Sequence, residues 1–397
     1  MTQRLDPRTK AMNAAMHRAF RTAVRTARIH GMKIRVMVAL LVLGSQSAQG
    51  ASEVKGQEAR IDRSPATVAE AQPSRASLRF TSGIRAIFED SQGRFWFGSH
   101  NEGVSRWDGH AFSYFTAADG LSGNQVRTIQ EDAAGNLWFG TGHGISRFDG
   151  KSFTTHVGRN QDAGNVARGS TWRQDAGDLW FIGGSGEPAA PFDGQGVYRW
   201  DGREMEFLPL PLPVSADAAT RGDYLVTAIS RGRNGMIWFG TYPEVFGYDG
   251  RSFTTLDGRT LGLAAEDEPF HVRSVFEDSR GVLWIGNNGL GVLRYDGRSL
   301  SNFTQQHGLD LKAKGASESL NRVFAIAEDA AGHLWFGTRD SGVWRYDGER
   351  LTQFTQRDGL TDAMVWTIYR DRRDRLWFGL GDGSVFRFNG KSFDKVF

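Results

Sequence analysis

The chain has 397 residues, with 48 Lys and Arg against 45 Asp and Glu, 50 Gly, 12 Trp and no Cys. The lack of cysteine excludes a disulfide framework, a thiolate metal site and a cysteine nucleophile. High Gly with high Trp favours many short strands joined by tight turns over helical architecture.

The first 50 residues hold nine of the basic groups and one acidic group, so residues 51–397 carry 39 against 44, a net of −5. A mildly acidic body has no electrostatic footprint for nucleic acid. Basic residues from Arg18 to Arg35 precede the apolar run Val36 to Gly44 and the small residues of SQSAQGA. This is the order of a secretory signal, and its apolar core is too short to span a bilayer. A mitochondrial-type presequence is the competing reading. Met32 opens a compact signal of its own, so residues 1–31 read as a misannotated upstream extension and 32–50 as the signal peptide. Residues 51–76, rich in Ala, Glu, Ser and Pro, read as a flexible linker. The expected location is periplasmic or secreted, with no membrane span after signal cleavage.

From residue 77 to 397 one unit recurs. Its motif is Trp96-Phe97-Gly98, then Trp138-Phe139-Gly140, Trp238-Phe239-Gly240, Trp284-Ile285-Gly286, Trp335-Phe336-Gly337 and Trp377-Phe378-Gly379, with a stretched copy at Trp180-Phe181-Ile182-Gly183. Successive tryptophans lie 42, 42, 58, 46, 51 and 42 residues apart, and each is followed by an Asp-Gly or Asn-Gly turn, from Asp108-Gly109 to Asn389-Gly390. Such periods mean stacked supersecondary units.

Each unit reads as a V-x-x-I strand, a D-x-x-G turn, the Trp strand, a third strand ending at the Asp-Gly hairpin, and a fourth strand. Apolar residues on both parities of the first two strands require two buried faces, as blades stacked around an axis do. The predicted fold is all-β, a seven-bladed β-propeller of four-stranded antiparallel blades. The third position of the first strand is small (Ala86, Thr128, Ala228, Ser274, Ala325, Thr367), which axial crowding would explain. The motif aromatics are expected in the core rather than as a sugar-binding ladder. The Glu-Asp pairs Glu89/Asp90, Glu131/Asp132, Glu277/Asp278 and Glu328/Asp329 recur too often for catalytic carboxylates and read as turn formers. The ends ASLRFTSG and KSFDKVF both resemble fourth strands and are expected to pair or alternate at the seventh blade.

The turns between first and second strands stay short, as do the Asp-Gly hairpins. Every long insertion falls in the other two connections, which emerge on one side of the disc. Elaborated loops on a rigid scaffold are where function usually lies. Near the channel mouth on that side the second position of the first strand reads Arg85, Arg127, Thr227, Arg273, Phe324 and Trp366. Converging arginines and aromatics suit an anionic or sugar-like ligand through fork hydrogen bonds and stacking. Packing against the neighbouring blade, or pairing with an acidic loop, is the alternative. His143, Tyr242, Asn287, Asn288, Arg339 and Asp340 lie in short connections of the same face and complete the candidate ligand-binding set, along with Glu244. Glu266, Asp267 and Glu268 with His271 are weighed as a metal site and read as a solvated loop. No catalytic residue, cofactor or metal is assigned, since no Ser-His-Asp order, P-loop or H-E-x-x-H is present.

The segments EDAAGNLWFGTGHGISRFDGKSF (131–153) and EDAAGHLWFGTRDSGVWRYDG (328–348), with Asp119-Gly120-Leu121 and Asp358-Gly359-Leu360, closely resemble the two-component regulator propeller repeat. The resemblance covers about residues 78–397 and is specific in five units; units three and four depart from it. It implies the periplasmic ligand-sensing part of membrane histidine kinases, often answering to oligosaccharides. No kinase or Ig-like domain is seen in the sequence, so the chain is expected to be a free-standing exported binding protein or a fragment of a longer gene. The expected function is a sensor-like module, linked to two-component signalling, that binds a small molecule, an oligosaccharide or a partner protein. Two other functions stay open. One is an interaction scaffold, which an apolar patch at the LPLPLP segment (208–213) would favour. The other is an enzyme similar in architecture to the streptogramin lyases, with His143, His271 or His100 as base.

Overall fold

The computed structural model describes residues 77–157, 167–168, 172–182, 195–213, 221–258, 270–310 and 316–397. The expectations for residues 1–31, 32–50 and 51–76, and for Glu266 to Glu268, lie outside them. Among the described residues no helix is long and apolar enough to cross a membrane.

Seven four-stranded sheets follow one another along the chain. Blade two shows the pattern: strands Val126–Glu131, Leu137–Thr141, Gly144–Phe148 and Phe153–Val157, each antiparallel to the last. The hairpin glycines take φ between 89° and 104°, conformations that cost a residue without a Cβ little.

The repeated motif does three separate jobs. The motif tryptophans are all 6% exposed or less and fill the gaps between sheets. In blades one, two, five, six and seven the indole N–H donates to the turn Asp at 2.8–2.9 Å, and the same carboxylate accepts two turn N–H groups. The motif glycine is where the next blade presses in: a Cβ on Gly240 would sit 2.7 Å from Val272 Cγ1, and one on Gly337 2.9 Å from Val365 Cγ1. The small third position pairs directly with that glycine, as Ala86 with Gly98. Close approach of blades therefore sets its size.

Only the Asp of each Glu-Asp pair forms the turn. The Glu reaches back to the preceding blade: Glu131 accepts from Ser91 N and Oγ at 2.8 and 2.6 Å, and Glu328 from Ser279 N and Oγ at the same distances. Blade four has Gly232 where the turn Asp would stand, and there Glu277 of blade five takes the Trp238 indole N–H at 2.7 Å.

Two expectations are corrected. The two ends do not pair or alternate as strands. The fourth strand of blade seven is Phe393–Lys395, paired with Val385–Phe388, while residues 77–83 run beside it without forming a strand. Phe80 packs with Trp377 and Val385 there. The ring closes by blade stacking: Glu89 accepts from Arg372 N at 2.9 Å, Tyr369 OH meets Glu89 N at 3.0 Å, and Phe95 lies 4.4 Å from Trp377.

Blade three is also rewired. Its sheet holds Leu179–Ile182, Gly196–Trp200 and Met205–Pro209, and Ala167–Arg168 adds parallel to the last of these at the outer edge. Trp172 stacks on Trp180 (5.9 Å, 11°) and meets Phe253 at 4.7 Å. This is the slot that the fourth-strand Phe354 fills in blade six, stacked on Trp335 at 5.8 Å and 5.5 Å from Phe393. Among the described residues, blade three has no strand at the axis.

The LPLPLP segment makes no apolar patch. Leu208 and Leu210 are buried and Leu212 half-buried, and the exposed positions are Pro209 and Pro211.

Candidate functional site

Six blades begin with a strand at the axis, and in each the ladder slips between positions one and three, as between Val272 and Ser274. A bulge leaves the intervening residue unpaired and re-aims its side chain. That residue is Arg85, Arg127, Thr227, Arg273, Phe324 or Trp366. All six line one axial cavity of about 520 Å³, together with Tyr242.

The side chains form two connected walls. Phe324 stacks on Trp366 (5.1 Å, 22°) and Trp366 on His100 (5.7 Å, 15°). The Arg85 guanidinium lies 4.4 Å from the Trp366 ring centre and 3.0 Å from His100 Nδ1. Opposite, Arg273 lies 5.5 Å from the Tyr242 ring and 5.6 Å from Phe324, and His271 packs edge-on to Tyr242 at 4.4 Å. Arg127 is held by Gln125, whose Oε1 accepts from both Nε and Nη2 at 2.9 and 2.6 Å. Thr227 is spent on structure, donating toward the Gly240 and Val272 carbonyls.

Among the described residues no Asp or Glu lines the cavity, and none of the three arginines has a carboxylate partner. The consequence is mutual repulsion. Burial, then the Arg127 and Arg273 charges, pull Arg85 down to about 10. Burial also lowers Arg127, with Arg273 adding to it and Tyr242 opposing. His100 is held below its usual range by burial and by Arg85 and Arg127, and His271 by burial and Arg273. A carboxylate, sulfate or phosphate entering the cavity would relieve all four.

The remaining predicted residues are not in this cavity. Asp340 is taken up by Arg322 at 2.7 Å, with Arg339 at 3.7 Å. His143 sits in the short loop closed by Thr141. Asn287 and Asn288 adjoin His271. Glu244 is buried and accepts from Tyr224 OH at 3.0 Å. Sequence reasoning did not single out Gln125, which lies one residue before its strand and carries no motif. His100, named only as a candidate base, belongs to the aromatic wall. Among the described residues no three His, Asp or Glu side chains gather as a metal site.

The fold and cavity define a seven-bladed propeller with a cationic, aromatic cup on its axis. It is a propeller of two-component-regulator type: the sequence profile of that repeat, described as two component regulator propeller, matches residues 79–101, 120–143, 271–289, 317–340 and 359–382. These are blades one, two, five, six and seven; blades three and four are the two that depart in sequence. No curated protein matches by sequence.

Among solved structures, the extracellular domain of the hybrid two component system BT4673 from B. thetaiotaomicron is similar, at 22% identity and a TM-score of 0.54, over 79% of this chain and 39% of that one. This chain thus spans about two-fifths of that structure. A streptogramin B lyase is similar at 15% identity and TM-score 0.52, over 80% of this chain and 95% of that one. YCF48 bound to D1 peptide is similar at 11% and 0.50, over 78% and 93%. At such identities these likenesses concern the fold.

Proposed function

We propose that the chain is an exported, sensor-like propeller that binds an anionic small molecule or acidic oligosaccharide in the cup at its channel mouth, without chemical conversion. One observation carries this reading: three arginines and four aromatic side chains converge on a cavity that no carboxylate lines among the described residues. Arginine gives forked hydrogen bonds to an oxyanion, and the flat faces of Phe324 and Trp366 accept a ring or an apolar edge. The kinship of the repeat with two-component regulators supports a place outside the cytoplasm and a signalling role.

The test is the melting temperature of the full chain against sulfate, citrate, and acidic and neutral oligosaccharides. Ligand at about a hundred times its Kd adds about 2.7 kcal/mol, a clear shift. Anions should raise the melting temperature in the parent protein and fail to do so in the Arg85→Gln/Arg273→Gln double variant. No shift with any ligand, together with stoichiometric co-purification of a protein, would replace this reading with a scaffold.

A further inference from the structure

The repeat supplies its own control. The residue after W-F-G in the second strand is Ser99, Thr141, Thr241 or Thr338 in four blades. Each hydroxyl closes its own loop twice, donating to a carbonyl three or four residues on and accepting an N–H from the same loop. For Thr338 these are Gly342 O at 2.8 Å and Ser341 N at 2.9 Å; for Ser99 they are Gly103 O at 2.9 Å and Glu102 N at 2.7 Å.

Blade five places Asn287 there, fully buried. Its Oδ1 accepts from His271 N at 3.2 Å, which fixes the carboxamide and leaves buried Nδ2 without a partner among the described residues. The neighbouring loops repeat this. Asn288 donates its backbone N–H to the His271 carbonyl at 2.9 Å and leaves Oδ1 buried and unpartnered. Asn321, 8% exposed, gives its Nδ2 to the Gly289 carbonyl and leaves Oδ1 likewise. The His271 Nε2 is the fourth such atom. A buried polar atom without a partner costs about 1–3 kcal/mol, and native folds hold few of them. Four on three adjoining loops mark a place where something else supplies the bonds. The patch adjoins the cup through the His271 ring, which meets Tyr242, a residue of the cup lining.

We infer that His271, Asn287, Asn288 and Asn321 form a neutral subsite that holds a hydroxyl or carboxamide arm of the anion bound by Arg85, Arg127 and Arg273. The inference rests on the channel reading. Its chemistry follows from the orphaned atoms: one amide donor, two carbonyl acceptors, and an imidazole nitrogen that can serve either way. Groups that both donate and accept fit this set. A second carboxylate would face two carbonyl oxygens and be repelled.

Calorimetric titration of the full chain separates the claims. The probes are sulfate (charge alone), hexanoate (an apolar arm), gluconate (a hydroxyl arm) and succinamate (an amide arm). Gluconate or succinamate should bind about tenfold more tightly than hexanoate, the factor expected from one or two hydrogen bonds; which of them leads assigns the arm. Asn287→Thr, which restores the residue of three other blades, should fold with an unchanged melting temperature. It should erase that preference and leave sulfate and hexanoate binding intact. Asn321→Leu should act in the same direction. No preference in the parent, or a preference that survives both variants, overturns the subsite while sulfate binding still upholds the cup. Failure to bind sulfate overturns both.

Discussion

Replacing Asp278 by Ala tests the clasp that the repeat builds in five blades. Asp278 is fully buried and accepts from Arg280 N, Val282 N and Trp284 Nε1, each at 2.9 Å. Trp284 is 1% exposed, so its N–H would be stranded away from water. A hydrogen bond to a charged group contributes about 1.5–3 kcal/mol, and a stranded donor costs about 1–3 kcal/mol. The two turn N–H groups lie beside exposed Arg280 and can turn to solvent, adding less. Recovered hydration of the carboxylate in the unfolded chain offsets part of this, leaving a net loss of about 3–4 kcal/mol. The control is Asp175→Ala in blade three. Asp175 is exposed and takes no indole bond, and its own N–H donates to Asp178, so the change should lie within about 0.5 kcal/mol. Urea unfolding followed by tryptophan fluorescence measures both, with midpoints compared at unchanged slope. Equal losses at the two positions, or a loss below about 1 kcal/mol at Asp278, would refute the assignment of the motif Asp as an indole acceptor rather than a turn residue alone.

Two further outcomes follow from the blade contacts and from the cup. A Cβ on Gly379 would sit 2.8 Å from the Ile84 backbone oxygen and side chain, so Gly379→Ala should destabilise the ring at the blade seven to blade one contact. Overpacking of this kind costs about 1–3 kcal/mol, and chemical denaturation would read it. Anion affinity should rise as pH falls from 7.5 to 5.5. His100 is neutral at the upper end because burial and the Arg85 and Arg127 charges lower its pKa, and an anion favours the protonated ring, so binding and proton uptake reinforce each other. Sulfate titrations across that range should show the trend in the parent and a weaker one in His100→Gln; a flat profile in the parent would contradict it.

The blade count was legible because seven tryptophans and seven Asp-Gly or Asn-Gly turns keep phase, and the packing of Gly240 against Val272 shows why that phase is held. The six side chains around the axis were legible from one column of the repeat, since a bulge after the first strand residue turns the second position inward in each of those six blades. What escaped reading depends on contacts between units. Glu131 looks like a partner of Asp132 in the sequence, but bonds to Ser91 in the preceding blade. Trp172 stands eight residues before Trp180, where other units carry first-strand residues, yet its ring fills a fourth-strand slot. Asn287 differs from Thr338 by one polar residue, and the difference becomes visible only when the hydroxyl bonds of the other blades are known. Gln125 carries no pattern at all, and only geometry ties it to Arg127.

The central claim is that the axial cup holds an anion between Arg85, Arg127 and Arg273. A crystal of the full chain soaked in selenate would test it directly by anomalous diffraction. The account predicts a selenium peak within hydrogen-bonding reach of at least two of these guanidinium groups, beside Trp366. Ordered selenate only elsewhere on the surface, with the cup holding none, would contradict it.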